Sequence, residues 1–465
     1  MKTSNGLSRR IAEHVATYPT GRLPPSAMHA AKRALLDGIG VMLAASGVSE
    51  DALPFIAHAE ASGPGPAVIL GRGTSTSAPY AAFANGAMAH ALDFEDAFDA
   101  APSHPNASLL PAVLGIAAGR PGISGADMLA AIAVGCDLVC RLGLSLRRPM
   151  EAGGWYPPPI LGAFGAAAAC ARLLRHSPRQ ILDSFSMMLC QTTCPGEIKY
   201  SRDTVIRAVR EAFPAQAAVQ SVLMAELGVR GFDEPFEGVG GFFRLYADGQ
   251  YDGDIILDGL GDRFWIEQLS FKQWPACRGT HPYIEAAQFL RRQERFDTAQ
   301  IVEIVATGGH VQRMLAEPLA RKQAPAVAID AKFSIPFTIG AALIDQQVTL
   351  ASFDAVSLAD PRKLALARLV RFEQRPDWGP ERAASGTLTI RFDDGRTIDH
   401  FIDVALGHPS RSLDDGILVE KFIDCAARAH RSIGSDQASA LADTIMTSDR
   451  MLDVEKWLRA FCYTA

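Results

Sequence analysis

No Cys-x-x-Cys pair occurs in this chain, although it holds eight cysteines. The nearest spacings, Cys136/Cys140 and Cys190/Cys194, are four apart, which suits neither zinc sites nor ferredoxin-type iron–sulfur runs. A cluster on Cys170, Cys190, Cys194 and Cys277, of the kind some dehydratases use, is outweighed by the plainer reading of reduced, buried, apolar thiols. Gly-x-Ser-x-Gly, His-Glu-x-x-His and phosphate-loop motifs are missing as well. Glu237-Gly-Val-Gly-Gly241 has neither Gly-x-Gly-x-x-Gly spacing nor a strand before it, which removes a nucleotide site. Charge of one sign is scarce: 45 Lys+Arg against 51 Asp+Glu leave a net −6, which excludes the basic face that a nucleic acid requires. The first ten residues place no apolar run after their basic residues, so no secretory signal is expected and a cytoplasmic protein is. The longest apolar stretch, 128–145, is interrupted by Asp137 and Arg141 and reads as a buried helix, not a membrane span.

What the chain does have is length and apolar bulk. At 465 residues, 48% hydrophobic and 21% charged, it exceeds one simple core and predicts two domains. Residues 1–265 read as helical, with a segment Ala27–Ala44 after Leu23-Pro-Pro-Ser26 and further helices at 77–92, 107–119, 125–145, 159–175, 178–193 and 214–227. Short breakers separate them, such as Gly-Pro-Gly-Pro at 63–66 and Pro-Gly at 121–122. Beyond residue 266 the pattern changes. Ile301–Ala306 reads as a strand, and Thr387–Phe392, Asp393-Asp-Gly395 and Arg396–Val404 form a hairpin signal with Leu388, Ile390 and Phe392 on one face. Helices at 331–345 and 360–370 complete an α+β unit, and helical periodicity returns over 413–463. The expectation is a mainly α fold. A large helical domain, 1–266 plus 410–465, carries a smaller inserted α+β domain, 267–409.

The densest chemical signal lies in 88–112. Asp93, Glu95, Asp96, Asp99, His90 and His104 fall within 15 positions of Ala-rich, core-like sequence. Carboxylates set among apolar residues need partners. A carboxylate beside an imidazole is an acid/base pair; the same acids also suit a magnesium motif, for which no second motif is evident, or a solvated acidic loop. His104-Pro-Asn-Ala-Ser108 is equally a helix cap through Asn106 or Ser108 and a rigid mount for His104. Gly153-Gly-Trp-Tyr-Pro-Pro-Pro159 is either a stiff turn or a device aiming Tyr156 into a cavity. Arg202, Arg207 and Arg210 are either a solvated helix face or a carboxylate clamp, since guanidinium binds carboxylates bidentately. Lys272, with His281 near by, sits where the α+β unit begins, a position suited to a substrate site.

Taken together, His90-Ala-Leu-Asp-Phe-Glu-Asp96, Ser103-His-Pro-Asn-Ala-Ser-Leu-Leu-Pro111, Trp155-Tyr-Pro157, Gly162-Ala-Phe-Gly-Ala166, Trp274-Pro-Ala-Cys277, Ala331-Lys-Phe-Ser-Ile335 and Ser412-Leu-Asp-Asp415 resemble the 2-methylcitrate dehydratase (MmgE/PrpD) family along nearly the whole chain. Gly154-Trp155, Trp274-Pro-Ala-Cys277 and Leu350-Ala-Ser-Phe353 look most similar to its iminodisuccinate epimerase branch; cis-aconitate decarboxylase is another member. The resemblance implies a large helical domain with an α+β lid, usually a homodimer, and no metal or organic cofactor. It also implies proton transfer α to a carboxylate, with Asp93, His104 and Lys272 at catalytic or binding positions. Three departures stand out: Tyr156 where the family has His, Arg207 and Arg210 where it has Lys then His, and Ala97 where Thr is common.

The reading that follows is a lyase or isomerase acting on a small di- or tricarboxylate. His104 is the expected base, oriented by Asp93. Lys272 and Arg207, with Arg210 and His281, are expected to hold carboxylates, and Tyr156 to serve as the acid, because a phenol gives a proton more readily than it takes one. Arginine cannot donate a proton at neutral pH. A carboxylate-binding homologue without catalysis is the alternative.

Overall fold

A computed structural model describes residues 6–101, 103–201 and 204–463; Arg202 lies outside the described residues. The fold is mainly α. Six helices, Ala78–Ala91, Pro105–Ala117, Gly125–Ser145, Pro157–Leu173, Pro178–Gln191 and Ala212–Glu226, match the predicted segments to within two residues at each end. Pro105, Pro157 and Pro178 open their helices, where a missing N–H costs nothing and the fixed φ is already helical. Small residues then let the helices approach closely. At the crossing of Gly125–Ser145 and Pro157–Leu173, a Cβ on Gly135 would lie 2.6 Å from the Gly165 carbonyl oxygen, and one on Gly165 would lie 2.5 Å from that of Gly135. Only glycine fits at both positions.

Gly125–Ser145 is the one described helix long and apolar enough to cross a membrane, and it is packed inside the core. Asp137 and Arg141, which interrupt its apolar run, explain its place. Arg141 is fully buried, pairs with Asp137 at 2.5 Å, and donates to the carbonyls of Ile256, Asp258, Gly259 and Arg263. One guanidinium thus pins the whole loop that leads out of the helical region.

Two hydrophobic cores result. The larger draws on residues between Leu7 and Phe271 and again between Leu413 and Phe461. The chain returns to it through helix Asp415–Ala427, which lies against Pro25–Val48 with Phe422 seated over Gly40. The second core spans Trp274–Ala405 and also takes in Phe83, Ala87, Ala208, Val209 and Ala212 from the helical side. A short hairpin, β1 (Ala67–Ile69) and β2 (Thr74–Thr76), belongs to the first core. The second core holds β3 (Ile301–Gly308), β4 (Val370–Gln374), β5 (Gly386–Phe392) and β6 (Thr397–Ile402) in the order β4-β3-β5-β6. β3 and β4 run parallel, while β5 and β6 form the predicted hairpin, with Leu388, Ile390 and Phe392 buried on one face.

The predicted helix over 331–345 is in fact two, Ala328–Lys332 and Ile335–Asp345. Ser334 stops the first and caps the second by accepting from the Phe337 N–H at 3.0 Å. This break leaves Lys332 at a helix end, free to reach across to the other core.

Arg141→Leu tests the pinned loop. Removing one partner of a buried ion pair costs about 3–5 kcal/mol, so urea unfolding is expected to shift by that order; a loss below about 1 kcal/mol, the scale of an exposed pair, would show that the carbonyl contacts are dispensable.

Candidate active site

Helix Ala78–Ala91 ends in a tight turn at Leu92–Phe94. Asp93 there has φ 49°, a left-handed conformation that non-glycine residues adopt only at a cost, Asp less than most. The turn is held by three lysines from distant parts of the chain. Lys332 Nζ donates to Leu92 O at 2.6 Å, Lys272 Nζ to Asp93 O at 2.9 Å, and Lys421 Nζ to Phe94 O at 2.7 Å. Lys272 also donates to Asp93 Oδ1 at 2.7 Å, and Lys421 pairs with Asp37 at 2.7 Å.

Around this turn the two histidines share one carboxylate. His90 Nδ1 is hydrogen-bonded to Glu95 Oε1, and His104 Nδ1 lies 3.0 Å from the same oxygen and 2.9 Å from Asp96 O. The rings sit 5.1 Å apart. Burial, reinforced by Arg210, pushes His90 down to about 3, so it is neutral and its Nδ1–H donates. Burial alone would raise Glu95, but His90, Lys272 and His104 outweigh it and hold the carboxyl ionised. Burial would also neutralise Lys272, but Asp93 and Glu95 keep it an ammonium. His104 turns Nδ1 to Glu95 and Asp96 O, so Nε2 is the nitrogen left to meet a ligand, and its side chain is 16% exposed.

A second group of charges lies behind the histidines. Arg210 is fully buried, donates to Arg207 O at 2.6 Å, and stands 5.0 Å over the Tyr156 ring. Its Nε is 3.2 Å from Glu211 Oε1 without hydrogen-bond alignment, and Ser108 caps the other Glu211 oxygen. Arg207 stacks 3.6 Å over Phe333. Nε and Nη2 of both arginines are buried with no hydrogen-bond partner among the described residues. Buried donors of this strength call for an acceptor, and a carboxylate supplies two.

The structure corrects three expectations. Asp93 does not orient His104, because its carboxylate is engaged by Lys272; Glu95 is the group that faces His104. His281 is no substrate ligand: Nε2 is spent on Ala276 O at 3.1 Å and Nδ1 on Arg278 at 3.1 Å. The capping reading of 104–108 also fails, since His104 is itself the N-cap without a side-chain bond, Asn106 makes none, and Ser108 turns to Glu211. Arg207 and Arg210 are buried rather than solvated, and Tyr156 is placed beside Arg210.

His90, Asp93, Glu95 and His104 bring ligand atoms within 4.8 Å of one another, and are the residues that could hold a metal ion. The Lys272 ammonium already holds Asp93 Oδ1 at 2.7 Å and both histidines already share Glu95 Oε1, so the donor set reads better as a proton network. No cysteine joins a ligating cluster among the described residues. Three contributors were not assigned a role from sequence: Lys332, Lys421 and Asp37. Lys332 lay inside a recognised motif, so its presence was visible; its reach was hidden by the helix break after it.

Asp96 is buried with both oxygens unbonded, the Asn106 amide beside it being poorly aligned. Burial, then Asp37 and Glu95, push its carboxyl up to about 7. The folded state thus favours the protonated acid, and the stability this confers in acid is lost as pH rises towards 7. Asp96→Asn removes that loss. At about 1.4 kcal/mol per pH unit, the Tm gain of the variant over the parent is expected to be larger at pH 8 than at pH 5 by several degrees; an equal gain at both would refute the shift.

The chain is similar to known proteins along most of its length. Residues 9–253 match the MmgE/PrpD N-terminal domain and residues 274–445 the MmgE/PrpD C-terminal domain. A cis-aconitate decarboxylase-like protein of Aspergillus oryzae is 26% identical over 97% of this chain and 96% of its own length. The human cis-aconitate decarboxylase is 26% identical over 80% of this chain and 77% of its own. That of Aspergillus terreus is 24% identical over 98% and 95%.

Proposed function

This chain belongs to the MmgE/PrpD family, and on that premise we propose that it is a lyase or isomerase moving a proton at the carbon α to a carboxylate of a small di- or tricarboxylate. The observation that carries the reading is His104. Its Nδ1 is tied to an ionised Glu95 and to Asp96 O, which leaves Nε2 as the basic nitrogen, and buried guanidinium donors without partners lie in the same region. Such an orienting carboxylate fixes the direction of the imidazole, so that its other nitrogen meets the substrate.

Arg207 and Arg210 bind substrate carboxylates in this reading, and Lys272, kept cationic by Asp93, helps stabilise the enediolate-like charge that develops when the α-carbon carries the electron pair. Tyr156 beside Arg210 is the second proton carrier. The same intermediate is reached by two routes. His104 Nε2 can take an α-proton, as in dehydration or epimerisation, or a C–C bond can break with loss of carbon dioxide, after which the carbon takes a proton. The relatives are named for decarboxylation of cis-aconitate, which makes carbon–carbon cleavage the first activity to test.

Incubation with cis-aconitate, citrate and 2-methylcitrate in deuterated water, followed by proton NMR, is expected to show product or α-deuterium with at least one. His104→Ala is expected to lower the rate by about 10²–10⁴ and Glu95→Gln by a smaller factor. Full activity in His104→Ala would remove it as the base. No turnover and no exchange with any of the panel, in a folded protein that still binds them, would favour the non-catalytic homologue.

A further inference from the structure

The end of helix Ala78–Ala91 presents a problem that the catalytic reading leaves unsolved. Leu92, Asp93 and Phe94 offer three consecutive carbonyls past the last helical turn, where carbonyls have no intrahelical partner. All three are satisfied by lysine ammonium groups, each from a different segment: Lys332 on Leu92, Lys272 on Asp93 and Lys421 on Phe94. Lys272 and Lys421 have second duties, to the Asp93 carboxylate and to Asp37. Among these contacts Lys332 has only the turn. Its Nζ is buried beside Phe353, at the end of the one-turn helix that the break at Phe333–Ser334 creates.

We propose that Lys332 is a positioning residue of this site, which locks the left-handed turn at Asp93 from the α+β side and so sets Asp93 against Lys272 and Glu95 against His104. The inference rests on the proposed role of His104 for its kinetic consequence, but not for its structural one. The geometry explains why a buried cation, costly to place, is spent on a main-chain oxygen. A cation at a helix C-terminus is favoured by the helix dipole, and the segment it holds is the one that carries the Glu95–His104 contact two to three residues on. A lysine that merely filled space in the second core would point its amine to solvent or to an acid of that core.

The test reads the turn directly. The amides of Asp93, Ala97 and Phe98 are bonded to His90 O, Ser270 O and Ser103 O, and report opening of the segment. Hydrogen–deuterium exchange of peptides covering 90–98 is compared in the parent, Lys332→Met and Lys332→Arg. Lys332→Met is expected to speed exchange there about 10-fold or more, with peptides from Gly125–Ser145 unchanged, and Lys332→Arg to bring it back to within about 3-fold. With whichever carboxylate of the panel is turned over, Lys332→Met is expected to lower kcat about 10- to 100-fold while KM stays within about 3-fold, as for small displacements of reacting groups. Unchanged exchange over 90–98, acceleration across the whole chain, no recovery with Lys332→Arg, or a change confined to KM would each overturn the proposal. Should Lys332→Met not fold, Lys332→Gln takes its place under the same reading. If no substrate is found, the exchange result still decides on Lys332, whereas a normal clamp with an inactive parent counts against the proposed function alone.

Discussion

Burying the carboxylates of Asp93 and Glu95 in one short turn depends on cations delivered to it from far along the chain. Taking a carboxylate out of water costs several kcal/mol unless it is paired and bonded. The turn meets that cost through Lys272, Lys332 and Lys421, which approach from the start of the α+β unit, from its interior and from a returning C-terminal helix. Every larger feature of the fold bears on bringing these amines to residues 92–94. The second core must dock on the helical one to deliver Lys272 and Lys332. The chain must return through Asp415–Ala427 and lie on Pro25–Val48 to deliver Lys421 beside Asp37.

Close packing provides the rigidity that such a grouping needs. Where Gly135 meets Gly165 the helices touch backbone to backbone. Gly86 does the same against Glu211, with a Cβ there 2.6 Å from the Glu211 carbonyl, and so brings the segment of Arg207, Arg210 and Glu211 against the helix that leads into the turn at Asp93. The abundance of alanine and glycine in the first half is therefore tied to the site. Larger residues would hold the charged groups apart and admit water between them, weakening each contact.

Local pattern made the helices legible. Apolar spacing and prolines located six helices to within two residues, and alternation with Asp-Asp-Gly located the β5–β6 hairpin. The short parallel strand β4 and the β1–β2 hairpin carry no such pattern, since their pairing is set by neighbours distant in sequence. The site divides in the same way. Asp93, His104, Tyr156, Arg207, Arg210 and Lys272 could be singled out because each is a polar residue in an apolar or motif-like setting. Which carboxylate faces which imidazole could not, because Asp93, Glu95 and Asp96 lie within three positions of one another and the left-handed turn decides their directions. His281 shows the converse: it looks functional by type and place, yet Arg278 and Ala276 O consume both its nitrogens.

The guanidinium groups shape what chemistry this site can carry. Arg207 and Arg210 hold charge and geometry at any physiological pH but release no proton. Arg210 is kept cationic against its burial by Tyr156, Glu211, Glu95 and Asp93 together, and neutral His90 donates its one Nδ1–H to Glu95. Proton traffic in the proposed mechanism therefore narrows to His104 and Tyr156. Glu95 orients the His104 ring through Nδ1, and Arg210 stands 5.0 Å over the Tyr156 ring, so each proposed proton carrier is placed by a buried charged neighbour that does not itself transfer the proton.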